Sequence, residues 1–145
     1  MLKLPAQQQR EIKAHGERDY PFECCGILLG RLSADGQKEC LEIYPISNAR
    51  EEAAKRNRFL IGPEELLRGE QEAARKGLDN LGFYHSHPDH PAVPSPYDLD
   101  HAWPVYSYVV VAIKDGRAEE LTSWEMESDR SRFNEEQILW DNDKG

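Results

Sequence analysis

An almost unbroken apolar run, "ECCGILLGRL" at residues 23–32, constrains the fold more than any other segment of this chain. The run has the length of a β-strand, and because polar residues do not alternate along it, both of its faces are expected to be buried. It is followed by "SADGQ" and then by "KECLEIYPI", which predicts a hairpin that turns around Asp35 and Gly36. A strand buried on both faces belongs inside a covered sheet.

Two helices are predicted on either side of this hairpin. Residues 5–17 are polar and rich in helix formers, which favours a surface helix. Pro63 and Gly77 suit the first position and the stop of a second helix. The apolar stripe of that helix consists of Leu66, Leu67, Ala73 and Ala74. The charged segment at 48–59 predicts a loop.

The second half of the chain continues this mixture of elements. "NLGFYHSH" at 80–87 predicts a strand, "SPYDLDHAW" at 95–103 a short helix, and "KDG" at 114–116 the turn of a second hairpin. The pattern after Ser128 is ambiguous. The order of helices and strands indicates one domain over residues 1–145 and a mixed α/β class, with a sheet flanked by helices. It leaves open which strands pair in parallel.

Charge and hydropathy exclude several function classes. The formal net charge is −9, and the basic residues are scattered among glutamates, so no nucleic-acid partner is expected. No stretch of eighteen apolar residues is present, so no membrane partner is expected either. The N-terminal segment lacks the apolar core of a secretory signal, which favours the cytoplasm. The oligomeric state is left open.

The three cysteines point to burial and not to chemistry. Cys24 and Cys25 are adjacent, Cys40 lies farther along, and no C-x-x-C pair exists. This spacing suits neither a disulfide framework nor a cysteine metal site. We expect all three to be small buried hydrophobes in strands.

Two histidines two positions apart on the predicted strand at 80–87 suggest a metal site. Side chains alternate along a strand, so His85 and His87 point to one face and Ser86 to the other. An H-x-H pair alone is weak evidence, and a third ligand is needed. Asp98 offers it, because the prolines of the loop between could return its helix to the strand end.

Asp98 also has a purely structural interpretation. Ser95 suits the N-cap, Pro96 the first helical position and Asp98 the third, which predicts a capping box. Both roles can hold together. Two imidazoles and one carboxylate are typical of a catalytic zinc, with the fourth position open to water.

Hydrolysis at such a zinc also needs a base that takes up a proton. Glu23, at the start of the apolar strand, is the candidate, since a carboxylate at the lip of a buried strand requires water, a partner or a metal site. The alternative is a solvated glutamate just after a turn.

Glu23, followed downstream by H-x-H, seven residues and S-x-x-D, resembles the signature of the JAMM (MPN-plus) metallopeptidases. "PFECCGILLG", "NRFLIGPEELL" and "GFYHSHP" are similar to that family's segments as well. The resemblance implies a curved mixed sheet related to the cytidine-deaminase fold. It implies one zinc per chain held by His85, His87 and Asp98, with Glu23 as general base and acid. Ser95 would steady the oxyanion.

The resemblance also implies a substrate class. Short stand-alone members of the family act on the C-terminal Gly-Gly tail of ubiquitin-like or sulfur-carrier proteins, which would be the partner here. The first alternative is a non-catalytic MPN scaffold, against which the five retained motif residues argue. A distant alternative is a zinc deaminase, whose H-x-E and P-C-x-x-C motifs are absent.

Other conspicuous side chains near the motif receive no functional role from the sequence. His90 and His101 are interpreted as structural or surface residues and not as ligands. Tyr84, Tyr97 and Trp103 could line a cleft, but aromatic residues beside a strand are more often part of the core.

Overall fold

The structure, a computed structural model, describes residues 1–46 and 63–139, and the loop predicted at 48–59 lies outside them. The helices of the described ranges are α1 (Ala6–Asp19), α2 (Pro63–Lys76) and α3 (Pro96–His101). The strands are β1 (Leu2–Lys3), β2 (Cys25–Leu32), β3 (Lys38–Ile46), β4 (Asp79–Pro88), β5 (Ser107–Lys114), β6 (Arg117–Met126), β7 (Phe133–Glu136) and β8 (Ile138–Leu139). None of these helices is long and apolar enough to cross a membrane.

All of these strands join one mixed sheet in the order β7-β6-β5-β4-β2-β3-β1-β8. β4 pairs with β5 in parallel, as β1 does with β3 and β8, and the remaining pairs are antiparallel. The end strands β7 and β8 are separated in sequence only by Gln137, so the two edges of the sheet come together. The sheet is therefore curved almost into a barrel. The predicted mixed α/β class, with a curved sheet flanked by helices, is confirmed.

The central strand β2 is buried on both faces, as its composition predicts. Leu28 packs in the same cluster as Ile12 of α1. Ile27 and Leu29, on the opposite face, pack in a cluster with Ala73 of α2. One helix thus covers each face of β2, and the site-bearing strand β4 runs directly beside it.

Helix α1 is more deeply buried than the surface helix that the sequence predicts at residues 5–17. Its buried residues include Gln8, Gln9 and His15, and this polar composition explains why the apolar stripe is weak in sequence. Gln8 Nε2 donates to the Leu41 carbonyl at 3.0 Å and Gln9 Nε2 to the Leu4 carbonyl at 2.8 Å. The buried amides are therefore hydrogen-bonded, which removes most of the cost of burying them.

The apolar stripe predicted for α2 is wrong at three of its four positions. Ala73 is buried, but Leu66, Leu67 and Ala74 are exposed. The helix approaches the sheet through Gly69, where an added Cβ would lie 2.4 Å from Ile27 Cδ1. Contact through a glycine turns the helix so that the two leucines face away from the core.

The structure shows where the three cysteines and the segment after Ser128 lie. Cys24, Cys25 and Cys40 are free and buried, which confirms their interpretation as small core residues. Burial raises the pKa of the Cys24 thiol to about 12. The segment after Ser128 contributes β7 and β8, which close the sheet.

Candidate metal centre

The strand β4 directs both of its histidine side chains into one site. His85 and His87 lie two positions apart, so their side chains share a face. Their Nε2 atoms are 3.0 Å apart, and the side chains are almost fully buried. The parallel strand β5 and the antiparallel strand β2 hold β4 on either side, so the pair sits in a rigid part of the sheet.

Helix α3 brings the third polar side chain to the histidines. Asp98 Oδ2 lies 3.2 Å from His85 Nε2 and 3.3 Å from His87 Nε2. The capping box predicted from the sequence is present in both directions. The Ser95 N–H donates to Asp98 Oδ2 at 2.8 Å, and the Asp98 N–H donates to Ser95 Oγ at 3.1 Å. The carboxylate therefore caps its helix and joins the histidines at the same time.

The spacing of these three atoms fits a metal ion. In a tetrahedral zinc site with bonds of about 2.0–2.1 Å, neighbouring ligand atoms lie roughly 3.3 Å apart. The three distances in this cluster are 3.0, 3.2 and 3.3 Å. Within the described ranges, His85, His87 and Asp98 form the group that could hold a metal ion.

The tautomer of His87 supports the same interpretation. Its Nδ1 lies 2.9 Å from the Pro91 carbonyl oxygen, which can only accept a hydrogen bond. A neutral ring in this position would carry its proton on Nδ1, and the Nε2 lone pair would then face Asp98 Oδ2. Two lone pairs facing each other repel, and a cation between them removes that repulsion. A backbone carbonyl that orients a ligating histidine in this way is a common feature of metal sites.

The protonation states also suit a ligand set. Burial by itself would raise the pKa of the Asp98 carboxyl, but the neighbouring imidazoles and the Ser95 N–H lower it far below its usual range. Burial lowers the pKa of His85, although Asp98 opposes that shift. At neutral pH the site therefore offers a carboxylate and a neutral His85 imidazole, the forms that bind metals.

Glu23 comes two residues before β2, the strand that pairs with the histidine strand β4. Cys25 pairs with His85 in the antiparallel ladder, and the Ser86 N–H donates to the Cys24 carbonyl at 3.2 Å. Continued by one residue, this register sets Glu23 opposite His87. Directly opposite residues share a face of an antiparallel pair, so this register would place the carboxylate on the side of the two histidines. Glu23 is 5% exposed, which excludes the alternative of a solvated glutamate.

The other histidines and aromatic residues are placed as follows. His90 and His101 are exposed and outside the three-residue cluster. Tyr84 is fully buried, which fits a core residue. Tyr97 and Trp103 instead line a cavity that adjoins the cluster, and Trp103 is 62% exposed.

Sequence reasoning missed two kinds of contributor to the site. The Pro91 carbonyl carries no side-chain signal, although the proline-rich loop around it is conspicuous. Phe83, Tyr106 and Tyr108 line the adjoining cavity and resemble ordinary strand aromatics in sequence. The signal that the sequence does offer is their position in the chain. Phe83 lies on the same predicted strand as the two histidines, and Tyr106 and Tyr108 follow the motif.

Comparison with known proteins identifies relatives of this chain. A desampylase of Haloferax volcanii is 34% identical over 136 residues, covering 90% of this chain and 91% of that protein. A probable TtuB-protein conjugate cleaving protease of Thermus thermophilus is 34% identical over 119 residues, covering 81% and 74%.

A solved JAB1/MPN domain protein of Archaeoglobus fulgidus shares the fold, with a TM-score of 0.60 at 15% identity over 98% of both chains. Residues 5–127 match the family model described as prokaryotic homologs of the JAB domain. The sequence therefore predicts the family correctly. The chain belongs to the prokaryotic homologues of the JAB domain.

Proposed function

We propose that this protein is a zinc-dependent peptidase of the JAMM type, with one zinc per chain held by His85, His87 and Asp98. The observation that carries the proposal is the convergence of three buried ligand atoms at separations of 3.0 to 3.3 Å. The predicted hydrolase activity is confirmed at the level of the family, since one relative is named a desampylase and another a probable conjugate cleaving protease.

The chain's own residues divide the chemistry between them. When bound, zinc supplies Lewis acidity, which polarises a carbonyl and can lower the pKa of a coordinated water to about 7. Glu23 would accept a proton from the attacking water and pass it to the departing amine as the C–N bond breaks. Ser95 would donate a hydrogen bond from its hydroxyl to the oxyanion that forms on the substrate carbonyl.

The geometry at Ser95 permits this second role. Its Oγ already accepts the Asp98 N–H at 3.1 Å, which uses a lone pair and leaves the hydroxyl proton free to donate. The hydroxyl is held one helical turn from the ligand carboxylate. A donor fixed in advance at this position can stabilise developing negative charge without reorganising.

The proposed substrate class rests on the names of the relatives and on the small size of glycine residues. The Thermus relative is named for cleaving conjugates of a protein, TtuB, and we propose the C-terminal Gly-Gly tail of a ubiquitin-like or sulfur-carrier protein as the acyl side of the bond. Glycines without side chains suit close approach to a buried cluster beside a sheet. Hydrolysis would release the group attached to the tail.

Glu23→Gln tests the proposed base. The substitution keeps size and polarity but removes the proton acceptor, so we expect full zinc content, a near-native Tm and a loss of kcat of about a hundredfold or more. The substrate is a ubiquitin-like protein with an extension after Gly-Gly, followed by mass spectrometry. Glu119→Gln, at an exposed position of β6, is the matched control and should behave like the wild type.

Two results would contradict the assignment of Glu23. Loss of zinc from Glu23→Gln would make Glu23 a ligand. Retention of both zinc and activity would place the base elsewhere.

A further inference from the structure

A cavity opens directly beside the proposed metal ligands and has no role in the chemistry described above. It has a volume of about 690 Å³, and His85 and Asp98 form part of its wall. Ligand pockets in proteins have volumes of about 300–1,000 Å³, so this one can hold a side chain together with flanking backbone. A group bound in this cavity would therefore lie next to the proposed metal ligands, where the scissile bond would be held.

The wall of the cavity is mainly aromatic and is built as a connected layer. Phe83 stacks on Tyr108 at 5.7 Å between centroids and meets Tyr106 edge-on at 5.3 Å. Phe133 meets Tyr108 edge-on at 5.8 Å. Rings packed in these geometries hold one another in place, so the apolar surface is formed before any ligand arrives.

Trp103 extends this surface while remaining 62% exposed. Its backbone N–H donates to the Tyr108 hydroxyl at 2.8 Å, and the Arg130 guanidinium lies 4.9 Å from its ring centroid. Arg130 also donates to the Ala102 carbonyl at 2.7 Å. An exposed tryptophan that is held from several sides is a surface prepared for contact, because fixing it on binding then costs little entropy.

Two further apolar residues line the cavity where burial would be expected. Leu66 of α2 is 37% exposed, on the helix whose predicted apolar stripe turned away from the core. Val105 is 80% exposed and has a φ of 76°, a conformation that β-branched residues rarely adopt. Strained backbone of this kind is concentrated at functional sites.

The charges around the cavity restrict its occupant further. The carboxylates in its lining are Glu70 and Asp98, and no lysine or arginine is among the described residues that line it. The carboxylate of Glu70 would repel an acidic group, and Arg130, the cation at the Trp103 ring, already donates to the Ala102 and Asp100 carbonyls. The cavity therefore suits an apolar side chain and disfavours Asp or Glu.

We propose that this cavity binds the leaving group, and that the enzyme prefers a large apolar or aromatic residue directly after the scissile bond. The inference rests on the proposed function, because a Gly-Gly tail on the acyl side has no side chain with which to fill a wide aromatic cavity. The amine side is then the part of the substrate that can occupy it. Binding energy gained there orients the bond at the metal ligands.

The test is a set of ubiquitin-like protein fusions that end in Gly-Gly-X-Ser-Ser, with X as Phe, Leu, Ala or Asp. We expect kcat/KM for Phe and Leu to exceed that for Ala by about tenfold or more, with Asp the slowest. Binding without turnover is measured in parallel by calorimetry on chelator-treated protein. Phenylalanine amide should bind measurably more tightly than alanine amide.

A pair of adjacent leucines provides matched variants. Leu66→Ala, within the cavity wall, should reduce the Phe-to-Ala ratio of kcat/KM severalfold, and Trp103→Ala should do the same. Leu67→Ala removes the same number of atoms from the same exposed helix outside the wall and should leave the ratio unchanged.

The outcomes separate this inference from the proposed function. Cleavage of all four fusions with equal kcat/KM, or equal effects of Leu66→Ala and Leu67→Ala, would overturn the leaving-group cavity and leave the peptidase standing. Failure to cleave any fusion by zinc-loaded protein would overturn the proposed function itself.

Discussion

The ring of His87 is fixed at both of its nitrogen atoms, and this detail decides what the site can bind. The Pro91 carbonyl accepts a hydrogen bond from Nδ1–H, so the lone pair of Nε2 lies beside His85 and Asp98. A rotation of the ring would lose that hydrogen bond. The loop that follows β4 thus contributes a backbone carbonyl to the proposed metal site.

Ser95 combines a structural and a proposed chemical role, and one substitution separates them. Ser95→Ala removes the oxygen that accepts the Asp98 N–H, so we expect a loss of about 1 kcal/mol in the free energy of unfolding. If the hydroxyl also stabilises the oxyanion, kcat should fall by roughly a hundredfold or more. Denaturant unfolding and peptide hydrolysis are measured on the same preparation.

Ser95→Thr is the control, since it keeps both the cap and the hydroxyl. We expect its stability and kcat to stay close to those of the wild type. A Ser95→Ala variant with reduced stability and unchanged kcat would reduce Ser95 to a helix cap.

Some residues of the candidate site are easier to identify from the sequence than others. His85 and His87 are paired by strand alternation, Ser95 and Asp98 by helix capping, and the loop between the two elements is short enough to bring the pairs together. The proposed placement of Glu23 beside them depends on the register of β2 against β4, a long-range pairing that no local pattern encodes. Its assignment from sequence depended on resemblance.

At the scale of elements, α1 is docked on the site strand through a buried polar pair. His15 Nδ1 lies 2.7 Å from the Tyr84 hydroxyl, and its Nε2 lies 3.3 Å from Asp19 Oδ2. The Asp19 carboxylate accepts a hydrogen bond from Nε2–H of His15. The Tyr84 hydroxyl then donates a hydrogen bond to Nδ1 of the neutral ring. Tyr84 is the neighbour of His85, and this contact connects α1 to the backbone of the proposed ligand.

This pair predicts a pH dependence of stability. Burial lowers the pKa of His15, with Asp19 opposing and Arg18 adding to the shift. Below about pH 6.5 the unfolded chain takes up a proton that the folded chain does not, so stability falls as the pH falls. Chemical denaturation at pH 7.0, 6.0 and 5.0 should show a shallower decline for His15→Gln than for the wild type.

His101→Gln serves as the control, since this histidine is exposed and its Nδ1 hydrogen-bonds to the Tyr97 carbonyl within the same short helix. It should decline with pH as the wild type does. Equal slopes for His15→Gln and the wild type would show that the ring at position 15 does not stay neutral in the fold.

The sequence predicts the position of a helix better than it predicts which face of the helix is buried, because burial depends on the element that packs against it. The positions of α1 and α2 along the chain follow from helix formers and from the proline and glycine signals. Which side of α2 is buried does not, because the close approach at Gly69 outweighs the apolar stripe at Leu66 and Leu67. The two displaced leucines are also the ones that make a matched test of the cavity possible.

At the scale of the whole molecule, the sheet closes through a buried polar network. Glu136 of β7 accepts hydrogen bonds from Ser107 at 2.7 Å and from Ser123 at 2.8 Å, and Lys38 of β3 donates to Ser107 at 2.8 Å. The buried charges of Lys38 and Glu136 are thus both hydrogen-bonded. Strands from both ends of the described chain thus meet in one sheet.

The closure was beyond sequence reasoning. β7 and β8 have four and two residues, too few for a periodic pattern, and their partners lie far away in the chain. The mixed sheet and its covered faces could be predicted, because β2 and the histidine strand carry strong local signals. The final curvature depends on pairings that only the assembled sheet determines.

Metal content tests the central claim most directly. We expect about one zinc per chain by mass spectrometry of the purified protein. Chelation should remove it together with hydrolysis of a Gly-Gly fusion, while the circular dichroism of the fold is retained because the core forms without the metal. His87→Ala should lack zinc and activity, and His90→Ala, at an exposed position in the adjacent loop, should keep both. A metal-free protein that cleaves the fusion, or a His87→Ala variant that keeps its zinc, would contradict the proposed centre.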